Sequence, residues 1–148
     1  ANYLFDQDTG RIVLLDFGAT RQIDPVVSDQ YRRLMRAGLA RDTDAIARIA
    51  TEIGFVNAET APRHQSTLIH MIQMVFDAVL AAPTFDFTDM ALSRRMQAEG
   101  MTLAEDGFVP PPVPIDVLLL QRKFGGVFLL ANRLRAQVDV AALLKRYL

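Results

Sequence analysis

The chain has 148 residues, enough for one domain or a large part of one. Sixteen basic and seventeen acidic side chains give a formal net charge of -1, so the composition offers no broad positive field for binding nucleic acid. The absence of Cys excludes disulfides, thiolate catalysis and cysteine-ligated metal centres.

The start of the chain has the pattern of a β-hairpin. Two apolar runs, Tyr3–Phe5 and Arg11–Leu15, flank a polar connector that ends in Gly10. Residues 12–15 are continuously apolar, so we predict that the second strand is buried on both faces. That strand leads into Asp16-Phe17-Gly18, where the glycine permits a sharp change of direction. Because the sequence begins inside a strand pattern and without Met, we interpret it as a piece of a longer protein.

From residue 24 onwards the pattern is helical. Asp24-Pro25 has the form of an N-cap followed by a proline at the first helical position, and Asp139 caps the last helix. Prolines 110–112 and 114 form a stiff extended connector. We predict helices at about 25–40, 43–53 (with Gly54 as its stop), 63–81, 89–100 (stopping at Gly100), 115–136 and 140–148. The predicted fold is therefore mainly α with one N-terminal β-hairpin, divided into a hairpin region (1–18) and a helical subdomain (24–148).

Two polar residues flank the hairpin. Asn2 precedes the first strand and Asp16 follows the second, and an antiparallel hairpin returns the chain to its starting edge. Mg²⁺ prefers carboxylate and amide oxygens, and protein-kinase sites hold it with an Asn and with the Asp of a D-F-G sequence. The sequence therefore predicts a metal site made by Asn2 and Asp16. An ordinary turn remains the alternative, because Asp and Gly are common turn residues.

The hairpin region also resembles a known family. Asn2–Phe5 and Arg11–Arg21, which contains D-F-G-A-T-R, are similar to the UbiB/AarF family of atypical protein-kinase-like proteins, especially the branch that supports coenzyme Q biosynthesis. Weaker similarity to that branch's helical region is spread along the chain, at Tyr31–Leu34, Ala40–Asp42, Phe85–Phe87, Pro110–Pro112, Arg122–Phe128 and Leu134–Ala136.

The resemblance implies a protein-kinase-like C-terminal-lobe fragment. In it, Asp16 would be the principal Mg²⁺ ligand and Asn2 the second, while Phe17 would pack beneath the nucleotide site and Gly18 would supply its turn. The family's nucleotide-covering loop, phosphate-binding Lys with its Glu partner, K-x-G-Q segment and catalytic-loop Asp have no counterpart in these residues. We therefore expect an ATP- and Mg²⁺-dependent kinase or ATPase for ubiquinone biosynthesis in the intact parent protein. The fragment alone has no complete catalytic set, and we expect it to be inactive.

The resemblance and the composition also yield expectations about partners. Besides ATP, these are a lipid or isoprenoid substrate, peripheral membrane contact and self-association, with no nucleic acid. We expect an intracellular location, cytoplasmic or at the inner membrane in bacteria, or on the mitochondrial matrix side in a eukaryote. The alternative function is a non-catalytic helical module that docks on a membrane or on proteins through apolar surface of helices 63–81 and 115–136.

Two further features have plain interpretations. We interpret Arg32, Arg33 and Arg36 as a solvated helix face rather than a phosphate clamp, although they follow closely after the D-F-G sequence. The pair Gly125-Gly126 is predicted to allow close helix packing or a bend in the fifth helix.

Overall fold

The computed structural model describes residues 3–15 and 20–148, with the exception of the Tyr3 side chain. Within these residues, a hairpin precedes six helices, and a second two-stranded sheet joins distant parts of the chain. The elements are β1 (Tyr3–Asp6), β2 (Arg11–Leu14), α1 (Pro25–Ala40), α2 (Thr43–Ile53), α3 (Pro62–Leu80), β3 (Phe85–Asp86), α4 (Ala91–Glu105), α5 (Ile115–Arg133), β4 (Gln137–Val138) and α6 (Val140–Tyr147). The predicted mainly helical fold with an N-terminal hairpin is confirmed.

The hairpin turn is held by the side chain of Asp6. Its carboxylate accepts hydrogen bonds from the Thr9 hydroxyl at 2.6 Å and from the backbone N–H of Asp8 at 3.0 Å. The Thr9 hydroxyl, followed by the backbone N–H groups, lowers the pKa of Asp6 below its ordinary value of 3.8. Gly10 closes the turn at φ 66°, in the left-handed region that glycine adopts without steric cost.

The prediction that β2 is buried on both faces is wrong for the described chain. All four residues of β2 are exposed, and the Ile12 side chain keeps 67% of its surface accessible. An apolar run indicates burial only when another layer covers it, and the described helices leave this two-stranded sheet uncovered.

The core lies where α1, α2 and the first turn of α5 meet. Helix α2 buries the face on which its apolar residues recur, since Ile46, Ile49, Ala50 and Ile53 are all buried. Asp42 caps this helix by accepting the backbone N–H of Ala45 at 2.9 Å, and Gly54 ends it at φ 95°. The remaining buried members of this cluster are Val27, Tyr31, Leu34, Ala37 and Val117.

Two helix boundaries differ from the prediction. Helix α4 runs through Gly100 to Glu105, because a glycine costs only about 1 kcal/mol in a helix interior and does not by itself stop one. The chain leaves this helix at Gly107, whose φ is 77°. Helix α5 ends at Arg133 instead of 136, because Arg135 turns into the left-handed region at φ 52° and the next residues form a strand.

The sheet of β3 and β4 was not predicted. Phe85 pairs with Val138 and Asp86 pairs with Gln137, in antiparallel order. The Asn132 side-chain amide supports this sheet by donating to the Phe87 carbonyl at 2.7 Å. Strands of two residues are too short to show a period of two in the sequence, so the pattern carried no signal for them.

The glycine pair of α5 lies at an open position. A Cβ added to Gly125 or Gly126 would meet no described atom within 4 Å beyond the nearby backbone of its own helix. Of the two predicted roles, close helix packing is therefore wrong for the described chain, and a bend in the helix stays a prediction. Among residues 3–15 and 20–148, none of the helices combines the length and the apolar character needed to cross a bilayer.

Candidate functional site

The predicted site residues Asn2, Asp16, Phe17 and Gly18 lie outside the described residues. Their roles therefore stay predictions, but the hairpin between them is described. Tyr3 pairs with Leu14 in the antiparallel ladder, and Asp6 pairs with Arg11 at the turn end. Paired residues in such a ladder lie about 4.5–5.5 Å apart, so the chain enters and leaves the hairpin at the same end.

A buried carboxylate anchors the segment that follows the D-F-G sequence. Asp116, in the first turn of α5, is only 7% exposed. One of its carboxylate oxygens accepts the Arg21 Nε–H at 2.6 Å, and the other accepts the Asp24 backbone N–H at 2.9 Å. Residues 21–24 are therefore fixed to the start of α5, immediately before α1 begins. We call Arg21, Asp24 and Asp116 the anchor.

The anchor also sets the protonation state of its carboxylate. The Asp24 N–H, and after it the Arg21 guanidinium, hold the pKa of Asp116 below its ordinary value of 3.8, against the opposing effect of burial. Asp116 is therefore ionised at neutral pH, which leaves both oxygens free to accept. Sequence reasoning missed Asp116 because an acidic residue in the first turn of a helix is common and needs no distant partner.

Two of the arginines of α1, Arg33 and Arg36, hydrogen-bond to other groups of the chain, which argues against a phosphate clamp on this helix. Arg33 makes two parallel hydrogen bonds to the Glu52 carboxylate, at 2.7 and 3.0 Å, and thereby ties α1 to α2. Arg36 donates to the backbone carbonyl of Leu148. Arg32 is exposed. These contacts favour the predicted solvated face over phosphate binding.

Other candidate ligands have structural partners. His64 is buried with its ring 5.3 Å from that of Phe108, and its Nε2 lies 3.9 Å from an Asp106 carboxylate oxygen. Asp86 accepts from the backbone N–H and the hydroxyl of Thr88, which lower its pKa below the ordinary value. Within the described residues, His, Asp and Glu side chains form no group of three or more that could hold a metal ion.

A large apolar cleft lies away from the hairpin. Its volume is about 790 Å³, and its walls come from the end of α2, from α3, α4 and α5, and from the extended segment before α5. We call it the apolar cleft. Its lining is formed by Gly54, Phe55, Leu68, Met71, Ile72, Val75, Phe76, Met96, Phe108, Pro110, Pro111, Pro112, Val113, Leu118 and Gln121.

Comparison with known proteins indicates the class of the chain. The mitochondrial atypical kinase COQ8 of Saccharomyces cerevisiae is 28% identical over 147 residues, which make up 98% of this chain and 29% of the yeast protein. The mitochondrial atypical kinase COQ8B of Rattus norvegicus is 26% identical over 138 residues, or 93% of this chain and 26% of that protein. The probable serine/threonine-protein kinase abkA of Dictyostelium discoideum is 23% identical over 145 residues. No family profile matches the chain.

These similarities extend over almost the whole chain, and the relatives named are atypical or probable protein kinases. As expected from the D-F-G-A-T-R segment, the chain is similar to the COQ8 atypical kinases of the UbiB family. It spans less than a third of the length of the curated relatives that it matches.

Proposed function

We propose that the chain forms part of the C-terminal lobe of an atypical kinase or ATPase, in which Asn2 and Asp16 hold Mg²⁺ against the phosphates of ATP. The observation that carries this proposal is the register of the hairpin. Because Tyr3 pairs with Leu14, the chain enters β1 and leaves β2 at the same end of the hairpin, which supports a shared site for the residues on either side. The similarity to atypical kinases supports the same assignment.

The chemistry of the donors fits the ion. Mg²⁺ takes few protein ligands and prefers carboxylate and amide oxygens, which Asp16 and Asn2 supply. When bound, Mg²⁺ neutralises the charge of the phosphates, which is the main requirement of phosphoryl transfer. The residues of this chain would contribute positioning: the two ligands would hold the ion, Phe17 would pack beneath the nucleotide site and Gly18 would supply its turn. The anchor holds the following segment to α5.

The coenzyme Q branch of the family gives the biological setting of the proposal. We propose that the intact protein supports ubiquinone biosynthesis on a lipid or isoprenoid substrate, with segments outside these residues completing the nucleotide site. The relatives named above from yeast and rat are mitochondrial, which supports the mitochondrial option among the expected locations.

ATP hydrolysis by the intact protein tests the roles of the ligands. Asp16→Asn removes the charge that attracts Mg²⁺, so we expect hydrolysis to fall at least a hundredfold while far-UV circular dichroism is unchanged. Asp8→Asn in the exposed hairpin turn is the matched control, and we expect it to keep the wild-type rate. Wild-type turnover in the Asp16→Asn protein would refute the assignment.

A second candidate function rests on a different observation. Helix α5 exposes many large apolar side chains, namely Leu118, Leu119, Phe124, Val127, Leu129 and Leu130. Such a surface is typical of a docking face for a membrane or a protein. If the chain were only a docking module, it would co-sediment with liposomes to the same extent with and without Mg²⁺-ATP, and Asp16→Asn would change no activity of the intact protein.

A further inference from the structure

We propose that Asp116 is a positioning residue for the metal site, because the anchor restrains the segment that follows Asp16 and so keeps that carboxylate at the ion. The role rests on the proposed function, in which Asp16 is a Mg²⁺ ligand. Asp116 provides no ligand and acts through Arg21 and Asp24, to which it is hydrogen-bonded. Loss of the anchor should therefore weaken metal binding while both ligands remain in the chain.

The anchor holds its segment at two points. Arg21 donates its Nε–H to one oxygen of Asp116 at 2.6 Å, and the Asp24 backbone N–H donates to the other oxygen at 2.9 Å. One hydrogen bond would let the segment pivot, whereas two bonds at positions three residues apart also restrain its direction. The second bond holds the main chain itself, so it does not depend on a side-chain conformation within the segment.

The anchor is attached to the core at both ends. Val117, the residue after Asp116, is fully buried in the cluster that α1 and α2 form with α5. The Asp24 side chain accepts the Val26 N–H at 2.8 Å and so caps the start of α1. The segment after Asp16 is therefore joined to two core helices.

Burial distinguishes the Arg21–Asp116 pair from the other ion pairs of the described chain. The Asp116 side chain is 9% exposed, whereas the acidic side chains of the other arginine–carboxylate pairs within residues 3–15 and 20–148 are 40–61% exposed. Exposed pairs contribute little, because water and salt screen them. A buried carboxylate that loses a partner still bears the cost of its desolvation, so release of the segment is unfavourable.

Asp16 lies close to the anchor along the chain. Five residue steps separate it from Arg21, and a fully extended chain of that length spans at most about 18 Å. On the other side, β2 ends at Leu14, two residues before Asp16. The hairpin and the anchor therefore restrain the same short segment from its two ends. Groups that orient metal ligands commonly contribute about 10–100-fold in metal affinity or activity.

The Mg²⁺ dependence of ATP hydrolysis by the intact protein tests this role. An amide offers one acceptor and one donor group, so Asp116→Asn satisfies only one of the two bonds. We expect the free Mg²⁺ concentration at half-maximal hydrolysis to rise about tenfold, with kcat at saturating Mg²⁺ near that of the wild type. Glu52→Gln makes the same change in the Arg33–Glu52 pair, away from the anchor, and should keep the wild-type Mg²⁺ dependence.

A second variant breaks the same contact from its half-exposed side. Arg21→Gln should shift the Mg²⁺ dependence in the same direction, and it serves as the test if circular dichroism shows that Asp116→Asn does not fold. The double variant should lie close to the more severe single variant, because both changes break one unit. A fall in kcat alone in Arg21→Gln would indicate direct contact with the substrate and would overturn the positioning role.

Hydrogen exchange of the metal-free intact protein measures the restraint without activity. In Asp116→Asn, we expect the amides of residues 21–24 to exchange about tenfold faster than in the wild type, and Glu52→Gln should leave them unchanged. Unchanged exchange or unchanged Mg²⁺ dependence in folded Asp116→Asn would refute the positioning role. Asp16→Asn separates this result from failure of the proposed function, because wild-type hydrolysis in Asp16→Asn would refute the metal assignment itself.

Discussion

A close approach between α1 and α3 yields a prediction with a built-in control. Gly38 lies in α1 against the ring of Phe76 in α3, and a Cβ at position 38 would come closer to three ring carbons than non-bonded carbons approach. Gly100 lies inside α4 with nothing within 4 Å of such a Cβ. The same change, Gly to Ala, therefore meets a packed ring at one position and open space at the other.

The magnitudes follow from these two environments. In an exposed helix interior, Ala is more favourable than Gly by about 0.8–1.0 kcal/mol, so Gly100→Ala should raise the free energy of unfolding by about that amount. Gly38→Ala gains the same helix propensity, but overpacking of a core costs about 1–3 kcal/mol. The free energy of unfolding of Gly38→Ala should therefore lie about 1–3 kcal/mol below that of Gly100→Ala.

Urea unfolding of both variants, followed by circular dichroism, measures this difference. Gly38→Ala combined with Phe76→Leu should recover stability relative to Gly38→Ala alone, because the smaller side chain removes the clash. Equal stabilisation by Gly38→Ala and Gly100→Ala would show that α1 and α3 do not approach as described.

Three more predictions concern the core and the anchor. Ile53→Ala, at a position 2% exposed, should lower the free energy of unfolding by about 2–5 kcal/mol in urea titrations. Tyr31 is buried and its hydroxyl has no hydrogen-bond partner among the described residues, so Tyr31→Phe should leave the stability unchanged or raise it slightly in the same assay. Burial raises the pKa of Tyr31 to about 12, so the wild type should lose stability between pH 10 and about 12, and Tyr31→Phe should lose less. Because the pKa of Asp116 is lower in the folded than in the unfolded state, its ionised carboxylate stabilises the fold above about pH 3.8. This stabilisation is lost as the pH falls through the lowered pKa of the folded state. Asp116→Asn should therefore be less stable than the wild type at pH 7, with a smaller difference at pH 2 in thermal unfolding.

The helices could be predicted from local signals. Asp24 and Asp139 each accept a backbone N–H at the start of a helix, as their positions before apolar periodic segments indicated, and Asp42 does the same before α2. The buried residues of α2 recur at helical spacing in the sequence. Gly54 and Gly100 were both predicted to end a helix, but only Gly54 does so. Gly54 has a positive φ that favours glycine, whereas Gly100 continues its helix.

Long-range features could not be read from one sequence. The bond between Arg21 and Asp116 joins residues 95 positions apart, and neither residue has an unusual local context. Whether β2 is exposed or buried depends on which other elements cover it, and its apolar composition does not show which elements those are. The apolar cleft is lined by residues of α3, α4 and α5, of the loop after α2 and of the extended segment before α5, which lie far apart in the sequence.

The proposed function requires that Asn2 and Asp16 share one metal ion. Anomalous diffraction from crystals of the intact protein, grown with Mn²⁺ and a non-hydrolysable ATP analogue, would locate that ion. We predict a manganese peak within about 2.0–2.5 Å of both the Asn2 amide oxygen and an Asp16 carboxylate oxygen. A manganese ion bound to the nucleotide by other residues, with these two side chains apart, would contradict it.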